Sequence, residues 1–139
     1  MEDKIRLTDT EIAGQIESKS LEYGPEKVDE VLGKEDEIKK KSGKLKIQKF
    51  SQLFRQLTLG LEMVKDFKAK AYTAIPWRSI SLIIASILYF MNPFDVLPDV
   101  FPIIGFTDDA VVMATIFKSI QEDLKKYCLW KGYDPDKYF

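Results

Sequence analysis

Apolar side chains in this chain recur three or four positions apart over long stretches, the spacing that lines up one face of an α-helix. The clearest case runs from Lys44 to Lys68, where Ile47, Phe50, Phe54, Leu57, Leu61, Val64 and Phe67 share a face and predict a helix. Thr8 to Ser18 predicts another, with Thr8 or Thr10 as the capping residue. A third should follow Pro25 through Val28, Val31 and Leu32, with proline in its first turn. Pro76 opens a segment that is apolar almost all round (Leu82, Ile83, Ile87, Phe90), so this helix must be covered on most sides by protein or by lipid. It should stop at Asn92, because Pro93 disfavours helical geometry in the residue before it. A last helix is expected from Thr107 to Cys128, with Thr107 as cap, acids at Asp108 and Asp109, and a stripe through Val112, Met113, Ile116, Phe117, Ile120, Leu124 and Tyr127.

No segment shows the strict alternation of a half-buried strand, so the expected class is all-α. The expected architecture is a compact domain of four or five helices. Its centre is a helical hairpin, Pro76–Asn92 and Thr107–Cys128, joined by a rigid loop rich in Pro and Asp. Gly24-Pro25, Gly33 and Ser42-Gly43 read as turns. Three regions are expected to pack as one globular unit: a charged helical region (1–44), the central helical domain (45–128) and an aromatic tail (129–139).

Charge sharpens that division. Acids and bases alternate up to Lys49, whereas between Ser79 and Phe117 the only charges are Asp95, Asp99, Asp108 and Asp109. These four carboxylates occur within "NPFDVLPDVFPIIGFTDD", the connection between the two apolar helices. Asn92 can cap a single turn there, with Pro93 supplying its preset φ and Asp95 placed to reach back toward free amides. Pro98 and Pro102 keep that turn from growing, and Gly105 allows backbone angles other residues resist. Asn92, Pro93, Pro98, Pro102, Gly105 and Thr107 are therefore the structural residues of a stiff loop. Its apolar members, including Val96 and Leu97, should fold onto the helix pair.

The aspartates admit two uses. Asp108 and Asp109 suit the first turn of a helix, where each contributes a few tenths to about 1 kcal/mol. Asp95 and Asp99 lie four apart and repel one another, so backbone amides, Arg78 or a divalent cation must offset them. Mg²⁺ or Ca²⁺ would be held by Asp95, Asp99, Asp108 and Asp109 through oxygen alone, and a metal-activated water there could hydrolyse a phosphoester.

Composition removes other chemistry. The chain has no histidine, so the commonest general base and triad-type hydrolysis are gone. With one cysteine, Cys128, an intrachain disulfide is excluded, and the opening residues lack the order of a secretion signal. The expected setting is cytoplasmic, with the inner face of a membrane as the alternative. A formal net charge of −1 gives no field for nucleic acid, so no nucleic-acid partner is expected. The lysine-rich stretch Lys34 to Lys49 contains Glu35, Asp36 and Glu37 and reads as a solvated helix end and turn. A membrane span is disfavoured. The uncharged run from Ser79 to Met91 is shorter than the ~20 residues a span needs, and a mid-bilayer aspartate would cost about 2.5 to 3.5 kcal/mol.

The run Tyr89-Phe90, Asn92-Pro93-Phe94-Asp95, Leu97-Pro98-Asp99, Pro102, Gly105 and Thr107-Asp108-Asp109 resembles the signature of the YkvA-like family, small and mostly bacterial helical domains of unknown function. "LTLGLEMVKDFKAKAYTAIPW" (57–77) is similar to that family's preceding helix and its Pro-Trp entry. The resemblance implies an α-helical, membrane-associated domain without an established catalytic activity. The reading is a non-enzymatic scaffold or interaction module for a protein partner or a membrane surface, with no cofactor. The alternative is a divalent-cation-binding domain. The first forty or so residues and the tail (Trp130, Tyr133, Tyr138, Phe139) depart from the family pattern, and the tail is expected to dock on the core.

Overall fold

Twelve consecutive residues, Ser79 to Phe90, are buried in a single helix, and the rest of the fold follows from covering it. The computed structural model describes residues 8–47, 50–97 and 109–139. Within them the helices are α1 (Asp9–Ser20), α2 (Glu26–Gly33), α3 (Glu35–Ile47), α4 (Ser51–Lys68), α5 (Trp77–Met91), α6 (Pro93–Val96), α7 (Asp109–Ser119) and α8 (Gln121–Lys131), and a 3₁₀ turn spans Pro135–Lys137. The described residues contain no strand, in keeping with the all-α class.

The buried helix is α5, packed by α1, α2, α3, α4 and α7. A helix apolar on every side is stable only when every side is covered, and here other helices supply the cover. Its serines conform: Ser81 and Ser86 donate to the carbonyls of Arg78 and Ile83, and Ser79 donates to Asp123 of α8. Gly60 of α4 permits a close approach to α5, since a Cβ there would meet Ile83 Cγ2 at 3.2 Å. Buried side chains from α1 through α8 form one continuous cluster.

Local chemistry explains most boundaries. Thr8 accepts from the Glu11 amide at 3.1 Å while Glu11 Oε1 accepts from the Thr8 amide at 3.1 Å, a reciprocal cap opening α1. That contact also holds the exposed Glu11 carboxyl below its ordinary range. Pro25 precedes α2, and α5 starts after Pro76 and ends at Asn92, whose extended backbone (φ −155°) stops it.

Three expectations fail at the boundaries. Ser42-Gly43 is not a turn but lies inside α3, whose first turn carries Glu35, Asp36 and Glu37, acids that suit the amide end of a helix. The lysine-rich stretch is thus a helix for most of its length. The helix expected from Lys44 begins at Ser51 instead: residues 44 to 47 finish α3, and Phe50, at φ −108° and ψ 38°, breaks the path. The expected Thr107–Cys128 helix is two helices broken at Ile120 (φ −113°, ψ 18°). Glu122 and Asp123 open the first turn of α8, and Ser119 spends its hydroxyl on the Ile116 carbonyl.

The tail docks. Tyr133, Tyr138 and Phe139 are half-buried against the core, and Gln56 donates to the Tyr138 carbonyl at 2.8 Å.

Candidate functional site

The exit of α5 is where sequence reasoning placed the chemistry. Asn92 is exposed, its amide donating to the Leu88 carbonyl at 2.8 Å, and its own carbonyl accepts from the Asp95 amide at 3.1 Å. Pro93 opens the single turn α6, closed by the Leu97 amide on the Pro93 carbonyl at 2.9 Å. Val96 and Leu97 are buried, so the start of the loop folds onto the helices as expected. The Asp95 carboxylate is exposed. Its negative charge adds to burial, Glu30 and Glu22 in pushing the Tyr23 phenol up to about 12, with burial the largest cause.

Asp99 and Asp108 lie outside the described residues, as do Pro98, Pro102, Gly105 and Thr107, and Asp109 is described only as the first residue of α7. Among the described residues no three His, Cys, Asp or Glu side chains come together as a metal site. Arg78 cannot be the counter-charge for Asp95: it sits in the first turn of α5 and Asp95 beyond its last, some 20 Å apart at 1.5 Å per residue.

What does hold this corner is Lys41, a member of the lysine-rich stretch expected to be solvated. From α3 its Nζ reaches the Phe90 carbonyl at 2.5 Å and the Met91 carbonyl at 3.4 Å, and lies 4.9 Å from the Phe90 ring centre. The last carbonyls of a helix lack partners within it and carry partial negative charge, so a half-buried ammonium there is favourable twice over. One of seven lysines between residues 34 and 49, it is singled out by nothing local from Lys39 or Lys40.

A second polar cluster, also unforeseen, ties α4 to α8. Asp66 accepts from the Tyr127 hydroxyl and from Lys131 Nζ, the latter at 3.0 Å. The Tyr127 bond chiefly holds the Asp66 carboxyl below its ordinary range; burial, next in size, opposes it, and Lys131 adds to the lowering. Burial first, then the Asp66 carboxylate, push the Tyr127 phenol far up. One turn away Tyr133 donates to Glu62 at 2.8 Å. The spacing of Glu62 and Asp66, four apart on one helix, is the only trace of this cluster in the sequence: two like charges so placed need donors from elsewhere. Each carboxylate here is engaged by a tyrosine or lysine of the protein itself, which suits bracing.

The third feature is a groove of about 460 Å³ between α2 and the turn from α4 to α5, lined by Val28, Phe67, Lys68, Lys70, Thr73 and Trp77 among others. Phe67 and Trp77 face each other with ring centres 6.0 Å apart.

Residues 79–115, covering α5 and the loop into α7, match a family described as "Protein of unknown function (DUF1232)". Over 87 residues the chain is 32% identical to the "Uncharacterized membrane protein YkvA" of Bacillus subtilis (strain 168), spanning 63% of this chain and 82% of that protein. No solved structure matches. Among the described residues no helix is long and apolar enough to cross a membrane.

Proposed function

We propose that this chain, which belongs to the YkvA-like family of proteins of unknown function, is a non-enzymatic helical scaffold that works against a membrane surface. The observation that carries the reading is the enclosure of α5: the most apolar segment of the chain is used up in contacts with its own helices. The relative is called a membrane protein, and for a chain whose greasiest helix is already covered, attachment at the surface is the form of membrane association that the packing supports. The loop after α5 then starts from a fixed point, since Lys41 clamps the last turn from α3, and Asp95 is displayed to solvent for a protein partner. The free, buried Cys128 suits a reducing cytoplasm, with the protein at the inner face of the membrane.

Flotation of the chain with vesicles, alongside capture of partners from a lysate, tests the reading. Co-migration with lipid supports it; a chain that stays with the soluble fraction and retains no partner refutes it.

A further inference from the structure

We infer that the groove between α2 and the α4–α5 turn, with Trp130 at its flank, is the face that settles on an anionic phospholipid surface; this rests on the membrane-surface reading above and names the face that reading leaves open.

The groove has the composition such a surface selects. Its walls are apolar, with the Phe67 and Trp77 rings on one side and Val28 on the other, and the exposed lysines Lys68 and Lys70 stand at its rim. Trp130 of α8 packs on Tyr72 of the same turn at 4.9 Å between ring centres, yet is 51% exposed. Indole rings are favoured at the boundary between hydrocarbon and water, having an apolar body and a polar N–H, and lysine stems lie along apolar surface while their charge meets headgroups. Both tryptophans of the chain are on this turn or against it.

Charge favours an anionic occupant. Of the acids nearby, Asp66 is turned to Tyr127 and Lys131 and Asp123 to Ser79, while Asp29 lines the groove and balances Lys68 in an exposed pair, so the cationic excess of this rim rests on Lys70 and Arg78. Lys70 and Arg78 enter no ion pair among the described residues.

The backbone adds an independent argument at Lys70. Helices α4 and α8 end in the same way. In α8 the Gly132 amide bonds the Leu129 carbonyl at 3.1 Å and the Tyr133 amide bonds the Cys128 carbonyl at 3.0 Å, with Gly132 left-handed at φ 83°. In α4 the Lys70 amide bonds the Phe67 carbonyl at 3.1 Å and the Ala71 amide bonds the Asp66 carbonyl at 2.9 Å, with Lys70 left-handed at φ 62°. Glycine takes that conformation freely, whereas a residue with a Cβ is strained in it. Among the described residues Lys70 alone bears a side chain at positive φ. The chain therefore keeps a cation at a position where glycine would fold better, and strain of this kind concentrates at ligand-gripping positions.

The test is co-sedimentation of the full chain with vesicles of phosphatidylcholine, with and without phosphatidylglycerol, while intrinsic tryptophan fluorescence is recorded. Because both tryptophans belong to this face, their emission reads it directly. Capture by the anionic vesicles alone is expected, weakened by salt, with emission shifted to the blue. Lys70→Gly relieves the strained backbone, so it stays folded, yet it should bind about fivefold more weakly, the contribution of one lysine near an anionic surface. Trp130→Ser should reduce both capture and the spectral shift. If anionic vesicles capture the chain while emission is unchanged and Lys70→Gly binds as tightly as the parent, the face is wrong and the membrane-surface reading stands. Equal capture by neutral vesicles overturns the anionic assignment. No capture by either vesicle overturns this face, and, if no partner is retained from a lysate either, the membrane-surface reading with it.

Discussion

Replacing Lys41 by methionine keeps the apolar stem that leaves α3 and removes only the charge at the end of α5. Three interactions go with that charge: the bond to the Phe90 carbonyl at 2.5 Å, a longer one to the Met91 carbonyl at 3.4 Å, and the approach to the Phe90 ring at 4.9 Å. A hydrogen bond from a charged donor contributes about 1.5–3 kcal/mol, and a cation at a partly buried helix end up to about 2 kcal/mol, but the two descriptions overlap and do not add. The carbonyls are left without this donor beside Phe90, a side chain only 6% exposed, so water can replace it only in part. A loss of about 2–3 kcal/mol follows for Lys41→Met, and a smaller one for Lys41→Arg, which still brings donors. Urea unfolding followed by circular dichroism reads the difference as a lower midpoint at unchanged slope. As the neighbouring exposed Lys40 caps nothing, Lys40→Met should change little. A Lys41→Met chain within about 0.5 kcal/mol of the parent, the range of an ordinary surface substitution, would refute the clamp.

At Gly60 the added Cβ of any side chain would press Ile83 Cγ2 at 3.2 Å inside a fully buried contact, so Gly60→Val should cost about 1–3 kcal/mol by calorimetry or urea titration. Gly43 lies mid-helix in α3 with open space around its Cβ position, and Gly43→Ala should stabilise by about 0.5–1 kcal/mol, measured the same way. In alkali the sign is set by the tyrosines: burial holds the Tyr23 phenol, and the Glu62 carboxylate the Tyr133 phenol, up to about 12, above the unfolded value near 10. The folded chain then retains protons that the unfolded chain has shed, so the stability these groups supply is complete below pH 10 and lost between about 10 and 12, which urea midpoints against pH will show. For Asp66, depressed chiefly by the Tyr127 hydroxyl, the direction reverses: its contribution is present above the unfolded carboxyl value, near 4, and fades as pH falls through the lower folded value, and Asp66→Asn should flatten that acid limb.

Sequence alone determined the helical class and the helices whose signals are local. The Thr8 cap, Pro25, Pro76 and the Asn92-Pro93 stop all act on their own or adjacent residues, so they are readable wherever the chain folds. The need to cover Ser79–Phe90 was equally visible, because a helix apolar all round states that requirement without its neighbours. Tertiary structure decided what does the covering and where helices break. The breaks at Phe50 and Ile120 interrupt an apolar period that continues unchanged in the sequence, since periodicity reports a face and not the continuity of its axis. Lys41 meets α5 across 49 residues and Asp66 meets Tyr127 across 61, and one of several similar lysines or carboxylates acquires its partner only when packing brings distant helices together. The strain at Lys70 belongs to the same class: glycine's absence from that turn is written in the sequence, but the left-handed backbone that gives the absence its meaning appears only once α4 has ended against α5.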